Sequence, residues 1–428
     1  MRKGIDQWIT ELKEGLHDER LKEIYVDEAL AKRQAGRYIH ALEEFRKLYG
    51  EDEVEVYSAP GRSEVGGNHT DHEHGQVLAT SINFDVIAVA APTDDNQVSL
   101  KSEGYRPLKV DLNSLTPNPK EEGTSTGLIR GVAADLQSRG YKVGGFKTFV
   151  TSDVLSGSGL SSSAAFEVVI GNILSGLYNE MKIDSVTIAI ASQVAENKFF
   201  GKPCGLMDQM ACSVGGLINI DFKDPSDPVI RRVDADFGAF GHSLCIVDTK
   251  GSHANLTDEY AAIPEEMQGV AAFFGKKVLR EVPEEEVIEA IPALREKLGD
   301  RAVLRALHFY GDHNRVTDEV NALERGDIEG FKQLIRDSGN SSFKFLQNVY
   351  ASKEPQVQNV SVALCVSEKL LEGKGACRVH GGGFAGTIQA FVPDEMVDAY
   401  KTGIEKVFGE GACYVMKVRK YGGIKALG

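Results

Sequence analysis

The chain has no closely spaced cysteines. Its six, Cys204, Cys212, Cys245, Cys365, Cys377 and Cys413, lie scattered with no Cys-x-x-Cys pair, which argues against a disulfide framework or a zinc knuckle. The thiols are expected to be reduced and mostly buried. No apolar run approaches the roughly 20 residues that span a bilayer. The start, Met-Arg-Lys-Gly-Ile-Asp-Gln-Trp, lacks the apolar stretch and small-residue cleavage site of a secretory signal, so a cytoplasmic location is expected. Basic residues are in deficit, 48 Lys and Arg against 63 Asp and Glu, and the net charge of −15 argues against nucleic acid as a partner. That charge does not forbid a nucleotide, because local N–H groups and Mg²⁺ neutralise a triphosphate inside an acidic protein. A Walker A loop is missing too: Gly-x-x-x-x-Gly-Lys-Ser/Thr does not occur. Any bound phosphate must rest on backbone N–H groups, a helix N-terminus, hydroxyls and metal. Neither a tandem repeat nor a low-complexity run is present.

At 428 residues the chain is too long for one ordinary core, so two domains of roughly 200 residues are expected. Residues 1–49 are charged and helix-forming, with apolar positions at helical spacing in Arg37–Tyr49 and a stop at Gly50. Val54–Ser58, Val77–Ala91 and Gly144–Val154 are β-branched and apolar, as in strands, and Thr124–Arg139 reads as a helix. Leu160–Tyr178 is apolar on nearly every face, with Glu167 its only charge, so a buried helix is predicted, followed by another over Ser185–Phe200. Val214–Asp221 and Leu244–Asp248 read as strands around the turn-rich Lys223–Pro228, which places a domain boundary near 222–245. Beyond it, helical periodicity covers Thr257–Phe274, Arg301–Glu324, Ile328–Ser338 and Gln356–Leu371. Strand-like Ala376–His380, Thr387–Val392 and Cys413–Val418 interrupt that pattern.

Two runs carry chemistry. Ala59-Pro-Gly-Arg-Ser-Glu-Val-Gly-Gly-Asn-His-Thr-Asp-His-Glu-His-Gly75 packs an arginine, histidines and carboxylates onto one turn-rich segment suited to a polyhydroxylated ligand. Gly157-Ser-Gly-Leu-Ser-Ser-Ser-Ala-Ala165 opens a helix with glycines and serines, aiming unpaired N–H groups and hydroxyls at an anion. Gly381-Gly-Gly-Phe-Ala-Gly386 matches Gly-x-Gly-x-x-Gly, but it precedes a strand near the end of the chain and does not follow a first strand into a helix, so a dinucleotide site is rejected. His69-Thr-Asp-His-Glu-His74 falls one ligand short of a dinuclear zinc motif, and His72 and His74 read as solvent-facing or structural. Asp208, in Cys204-Gly-Leu-Met-Asp-Gln209, is by itself an ordinary cap or surface charge.

Taken together, Pro60-Gly-Arg62, Gly67-x-His69-Thr-Asp71, Gly157-x-Gly-Leu-Ser-Ser-Ser-Ala164, Cys204-Gly-x-Met-Asp-Gln209 and Gly381-x-Gly-Phe-x-Gly386 resemble galactokinases in type and order. These are members of the galactose, homoserine, mevalonate and phosphomevalonate kinase superfamily. The resemblance spans roughly residues 37–420. It implies an α+β, two-domain small-molecule kinase: an N-terminal α/β domain with a mixed sheet over 35–235, and a ferredoxin-like α+β domain over 236–428. Residues 1–34 are left as an N-terminal helical extension. By position it implies Asp208 as the catalytic carboxylate and Arg62 as the arginine near the transferring phosphate. Gly157, Gly159, Leu160, Ser161, Ser162 and Ser163 fall on the nucleotide loop, and Ser163 with Glu196 on the Mg²⁺ ligands. Asn68, His69, Asp71, Gly205 and Tyr260 fall on sugar-contacting positions. The implied partners are ATP and a monosaccharide; charge and hydropathy leave out nucleic acid and membrane, and a monomer is the favoured state. The implied product is galactose 1-phosphate.

One departure bears on the sugar. Galactokinases usually carry Asn where this chain has Glu64, and Glu where it has Asn68, so the two types are exchanged across four positions. A carboxylate only accepts hydrogen bonds whereas an amide also donates. The expectation is that galactose remains the substrate and Asn68 reorganises one contact. The alternatives are galacturonate, N-acetylgalactosamine or arabinose as substrate, or a non-catalytic galactose and ATP sensor. The intact Ser161–Ala164 run argues against the sensor.

Overall fold

In the computed structural model, residues 2–154, 159–235, 237–252 and 256–428 are described. Strand β1 (Lys3–Gly4) leads into helices α1 (Ile5–Lys13), α2 (Asp18–Tyr25) and α3 (Glu28–Tyr49). The Asp27 carboxylate caps α3 by accepting the Leu30 N–H. Two long antiparallel strands follow, β2 (Glu53–Gly66) and β3 (Gln76–Pro92), with Glu55 opposite Ala90 and Gly66 opposite Leu78. Next come β4 (Gln97–Ser102), β5 (Leu108–Asp111), α4 (Ser125–Ser138), β6 (Phe146–Ser152), α5 (Ser162–Asn179), α6 (Ser185–Ala195), α7 (Met207–Val214), β7 (Leu217–Asp221) and β8 (Val229–Arg232). The strands join in the order β1-β2-β3-β6-β4-β5, and β7 and β8 extend from the first half of β3. The β4–β6 pair is parallel and its neighbours antiparallel, so the sheet is mixed, as expected.

Alternation along β3 sends its side chains to two cores. Val86, Ala88 and Ala90 pack with Leu128, Val132, Val169 and Ile173 of α4 and α5. Ile87, Val89 and Ala91 pack with Trp8, Leu12, Tyr25, Leu42 and Phe45. The opening helices therefore form the second covering layer of the sheet, and the expected division at 34/35 falls inside α3.

The second half holds β9 (His242–Asp248), α8 (Thr257–Phe273), α9 (Glu284–Glu289), α10 (Ile291–Leu298), α11 (Asp300–Glu324), α12 (Ile328–Ser341), α13 (Asn359–Leu371), β10 (Ala376–His380), β11 (Thr387–Pro393), α14 (Val397–Phe408), β12 (Cys413–Met416) and β13 (Ile424–Leu427). Four of these strands form an antiparallel sheet in the order β10-β11-β9-β12. Cys245 and Val247 face α13 and α14, whereas Leu244 and Ile246 join the core that continues into the first sheet. The final strand, β13, returns to pair with β2, Ile424 opposite Ser58, although the sequence reading places it in the second domain. Helix α14 is absent from the sequence expectations, although Val397, Tyr400, Ile404 and Phe408 stand at helical spacing and pack in one core with α13. Among the described residues no helix is long and apolar enough to cross a membrane.

One buried carboxylate holds three parts of the chain. Asp85 of β3 accepts from Tyr25 at 2.7 Å, from Arg37 Nη1 at 2.6 Å, from Arg419 Nη1 at 3.2 Å and from Ser58. Asp85→Asn leaves the fully buried Arg419 guanidinium without its anion and Arg37 with only the more distant Asp153. A loss of about 3–5 kcal/mol is expected, read as a lower urea midpoint with an unchanged slope.

Candidate active site

Strand β2 and helices α5 and α7 meet at Arg62. Its guanidinium grips Asp208 in a two-pronged pair, Nε to Oδ1 at 2.6 Å and Nη2 to Oδ2 at 2.7 Å, and donates Nη1 to the Gly159 carbonyl at 2.6 Å. The Arg62 N–H is spent on the Leu160 carbonyl at 3.1 Å, while the Leu160 side chain lies in the core. Ser161 caps α5 with a left-handed backbone (φ 57°) and makes no side-chain cap bond; its hydroxyl turns instead to Asp208 Oδ2. The first-turn N–H groups of α5, beginning at Ser162, are thus left without a side-chain cap at the place where the helix dipole favours an anion. Gly157 lies outside the described residues.

Burial alone would raise the Asp208 carboxyl, but the charge and paired hydrogen bonds of Arg62 and the Ser161 hydroxyl outweigh it and hold the group below its ordinary range. Asp208 keeps 32% of its side chain exposed against 9% for Arg62, so the carboxylate faces open space and the arginine stands behind it.

Ser163, the second residue of α5, donates to Glu196 Oε1 at 3.4 Å. Glu196 begins a π-turn, Glu196–Phe200, at the end of α6, and it also receives Lys202 Nζ at 3.2 Å, Gln209 Nε2 at 2.8 Å and the Cys204 thiol at 3.4 Å. Glu167, one turn beyond Ser163, is fully buried; Gln209 Nε2 reaches its Oε2 at 3.3 Å, and its Oε1 has no partner. Burial, together with the Glu196 charge, pushes the Glu167 carboxyl well above its ordinary value. Glu167, Lys202 and Gln209 are not among the site residues that the sequence motifs imply. The signal for Glu167 was its standing as the lone charge in an apolar helix.

Opposite lie the polyol-binding candidates. Asp71, on a 3₁₀ turn (Asp71–Glu73), presses so closely on Gly205 that a Cβ there would collide with its Oδ2, which accounts for glycine. His69 has a left-handed backbone (φ 62°) and donates Nε2–H to the Gly382 carbonyl at 3.3 Å, leaving Nδ1 as an acceptor. Burial and the neighbouring His72 lower its pKa to about 3, so the ring is neutral. The Tyr260 hydroxyl donates to Gly383 O at 2.9 Å. Burial pushes that hydroxyl up to about 12. His72 is exposed and His74 half-buried.

Asn68 differs from its expected place. It is fully buried, and its amide bonds to protein groups alone: Nδ2 to Glu64 Oε1 at 3.0 Å and Gly381 O at 2.8 Å, and Oδ1 from Asn348 Nδ2 at 2.8 Å and Ser342 at 3.2 Å. An amide has two donors and two acceptor lone pairs, so none remains for a sugar hydroxyl. Glu64 also receives Arg378 Nη2 at 2.8 Å, yet burial prevails and leaves its carboxyl above the ordinary range.

A family model, the galactokinase galactose-binding signature, matches residues 43–92, and another, the GHMP kinases N terminal domain, matches residues 127–216. Together the two matches set a galactokinase-type galactose-binding signature ahead of a GHMP kinase N-terminal domain. The fold of the chain resembles that of Lactococcus lactis galactokinase, solved with galactose, at 23% identity, covering 90% of this chain and 98% of that one with a TM-score of 0.75. Methanococcus jannaschii mevalonate kinase matches at 15% identity over 85% and 98% of the two chains, TM-score 0.61. A D-glycero-D-manno-heptose 1-phosphate kinase from Bacteriodes thetaiotaomicron matches at 16% over 88% and 100%, TM-score 0.58. The expected α+β fold of these kinases is therefore correct, and the two family matches support a phosphotransferase.

The Arg62–Asp208 pair makes the stability of the protein depend on pH. With its folded pKa depressed, Asp208 contributes stability that is full above its unfolded pKa and is lost as pH falls through the folded one. Asp208→Asn is thus expected to be less stable than wild type at pH 7 by about 2–4 kcal/mol. The gap should narrow steadily below about pH 4, as followed by urea unfolding at pH 7, 5 and 3.

Proposed function

We propose that the protein transfers the γ-phosphoryl group of ATP to the anomeric hydroxyl of galactose, giving galactose 1-phosphate and ADP. The observation that carries this reading is the meeting of Asp208, Arg62 and the open N-terminus of α5 at Ser161, with Asp71 and Gly205 close by. Phosphoryl transfer asks for alignment and charge neutralisation more than covalent help. The loop N–H groups and the α5 dipole receive the triphosphate, while Asp71, His69 and Tyr260 hold the sugar.

Asp208 orients the attacking hydroxyl as a hydrogen-bond acceptor and takes its proton during or after transfer. Its depressed pKa makes it a weak base, so orientation carries the larger share. Arg62 fixes that carboxylate and lies beside the path of the transferring group.

Mg²⁺ fits the residues present. Ser163 and Glu196 offer two hard oxygens, Lys202 already places a cation against Glu196, and Glu167 keeps an unpartnered oxygen behind it. Mg²⁺ ordinarily takes its other ligands from substrate phosphates and water. When bound, the ion neutralises charge on the phosphate oxygens.

The test is sugar-dependent ADP release with galactose, galacturonate, N-acetylgalactosamine and arabinose. Galactose is expected to turn over best; a tenfold preference for galacturonate would replace it as substrate, and no sugar-dependent release from any of the four would leave the sensor reading. Asp208→Asn should lower kcat by about 10²–10⁴. Arg62→Lys should also be damaging, because a point ammonium cannot reproduce the two-pronged pair.

A further inference from the structure

Asn68 sits where the polyol-binding turn meets the second half of the molecule, and every polar group it owns is occupied. Beyond the four side-chain bonds, its N–H donates to Asp312 Oδ2 at 2.7 Å and its carbonyl accepts from His308 Nε2 at 3.0 Å. Its partners come from the end of β2, from α11, from the π-turn Ser342–Leu346, from the Asn348 segment and from the glycine turn at 381–383. Asn348 is the second clasp. Its carbonyl accepts the Phe384 N–H, its Nδ2 bonds Asn68, and it crowds Gly383 (φ 82°) so tightly that a Cβ there would strike the Asn348 carbonyl. The same glycine turn receives His69 at Gly382 and Tyr260 at Gly383. Two of the groups placed on the sugar are thus held by a turn that Asn68 and Asn348 anchor, and a third, Asp71, follows Asn68 by three residues.

We propose that Asn68 and Asn348 are a pair of positioning residues that set His69, Asp71 and Tyr260 for the sugar, and that neither touches the sugar itself. The inference rests on the sugar-kinase reading. It also accounts for the exchange at 64 and 68: Glu64 and Asn68 are hydrogen-bonded to each other, so the exchange keeps one amide and one carboxyl at a single buried joint.

The test is steady-state kinetics of Asn68→Ala, Asn348→Ala and the double variant, with galactose and ATP varied separately and thermal melting as a check on folding. Each single variant should raise the galactose KM at least tenfold and leave the ATP KM within twofold. The double variant should be no worse than the poorer single one, because both act through one joint. A residue that merely supported the fold would move both KM values or only the melting temperature. Should Asn68→Ala fail to fold, Asn348→Ala alone decides the matter through the same KM split. An Asn348→Ala enzyme with wild-type galactose KM, or a double variant whose losses multiply, overturns the inference while the kinase reading stands. A wild-type enzyme without sugar-dependent turnover overturns both.

Discussion

Arg378 ties the two sheets together, and the cleft depends on that tie. From β10 of the second sheet its fully buried guanidinium reaches the Glu64 carboxyl at 2.8 Å and carbonyl at 3.2 Å, and the Val65 carbonyl at 3.3 Å, all in the last turn-bound stretch of β2. Gln389 of β11 adds a bond to the same Val65 carbonyl at 3.0 Å, and His380 meets Ser63 at 3.1 Å. β2 belongs to the first sheet through its ladder with β3 and to the second through these side chains. A strand end with no further partner of its own would leave buried carbonyls unpaired, which is costly. The second sheet supplies the donors.

Around that tie the carboxyl groups are sorted by what faces them. Asp208 has a guanidinium and a hydroxyl against it and stays ionised at an exposed edge. Glu167 has only an amide and a neighbouring carboxylate and is driven toward its neutral form. Glu319 of α11, wedged against Gly66 with neither oxygen bonded, is raised well above the ordinary value by burial and by Asp312. Burial favours the neutral acid unless the partners outweigh it, as they do at Asp208 and do not at Glu64, which stays above its ordinary range despite Arg378. The chain uses both within one continuous region, so a net charge of −15 gives no guide to the charge that a ligand meets.

Much of the layout is legible in the residues because its signals are local. The apolar helix from Leu160, the two long strands from Val54 and Val77, and the strands at Ala376 and Thr387 announce themselves through periodicity and turn residues, and each has its counterpart. The Gly-x-Gly-x-x-Gly run is a turn before a strand, as its context indicated. The strands β4, β5 and β8 leave no such trace, since half or more of their residues are polar or charged and they carry no apolar run. The covering role of residues 1–25 was also hidden. Trp8 and Tyr25 mark amphipathic helices, but nothing local says that their apolar faces meet Ile87 and Val89.

The inventory of chemistry, a serine-rich helix start without a lysine, a carboxylate, an arginine and a polyhydroxyl-binding turn, was determined by the amino-acid order alone, because hydrogen-bonding capacity and helix polarity belong to residue types and their spacing. Which of those groups stay free for a ligand was decided only in three dimensions. Asn68 reads as one more contact for a sugar until its amide is seen filled by Asn348, 280 residues away, and by Gly381, 313 residues away. A side chain can spend its hydrogen bonds only once, and partners so distant in the chain are brought to it by packing, not by spacing.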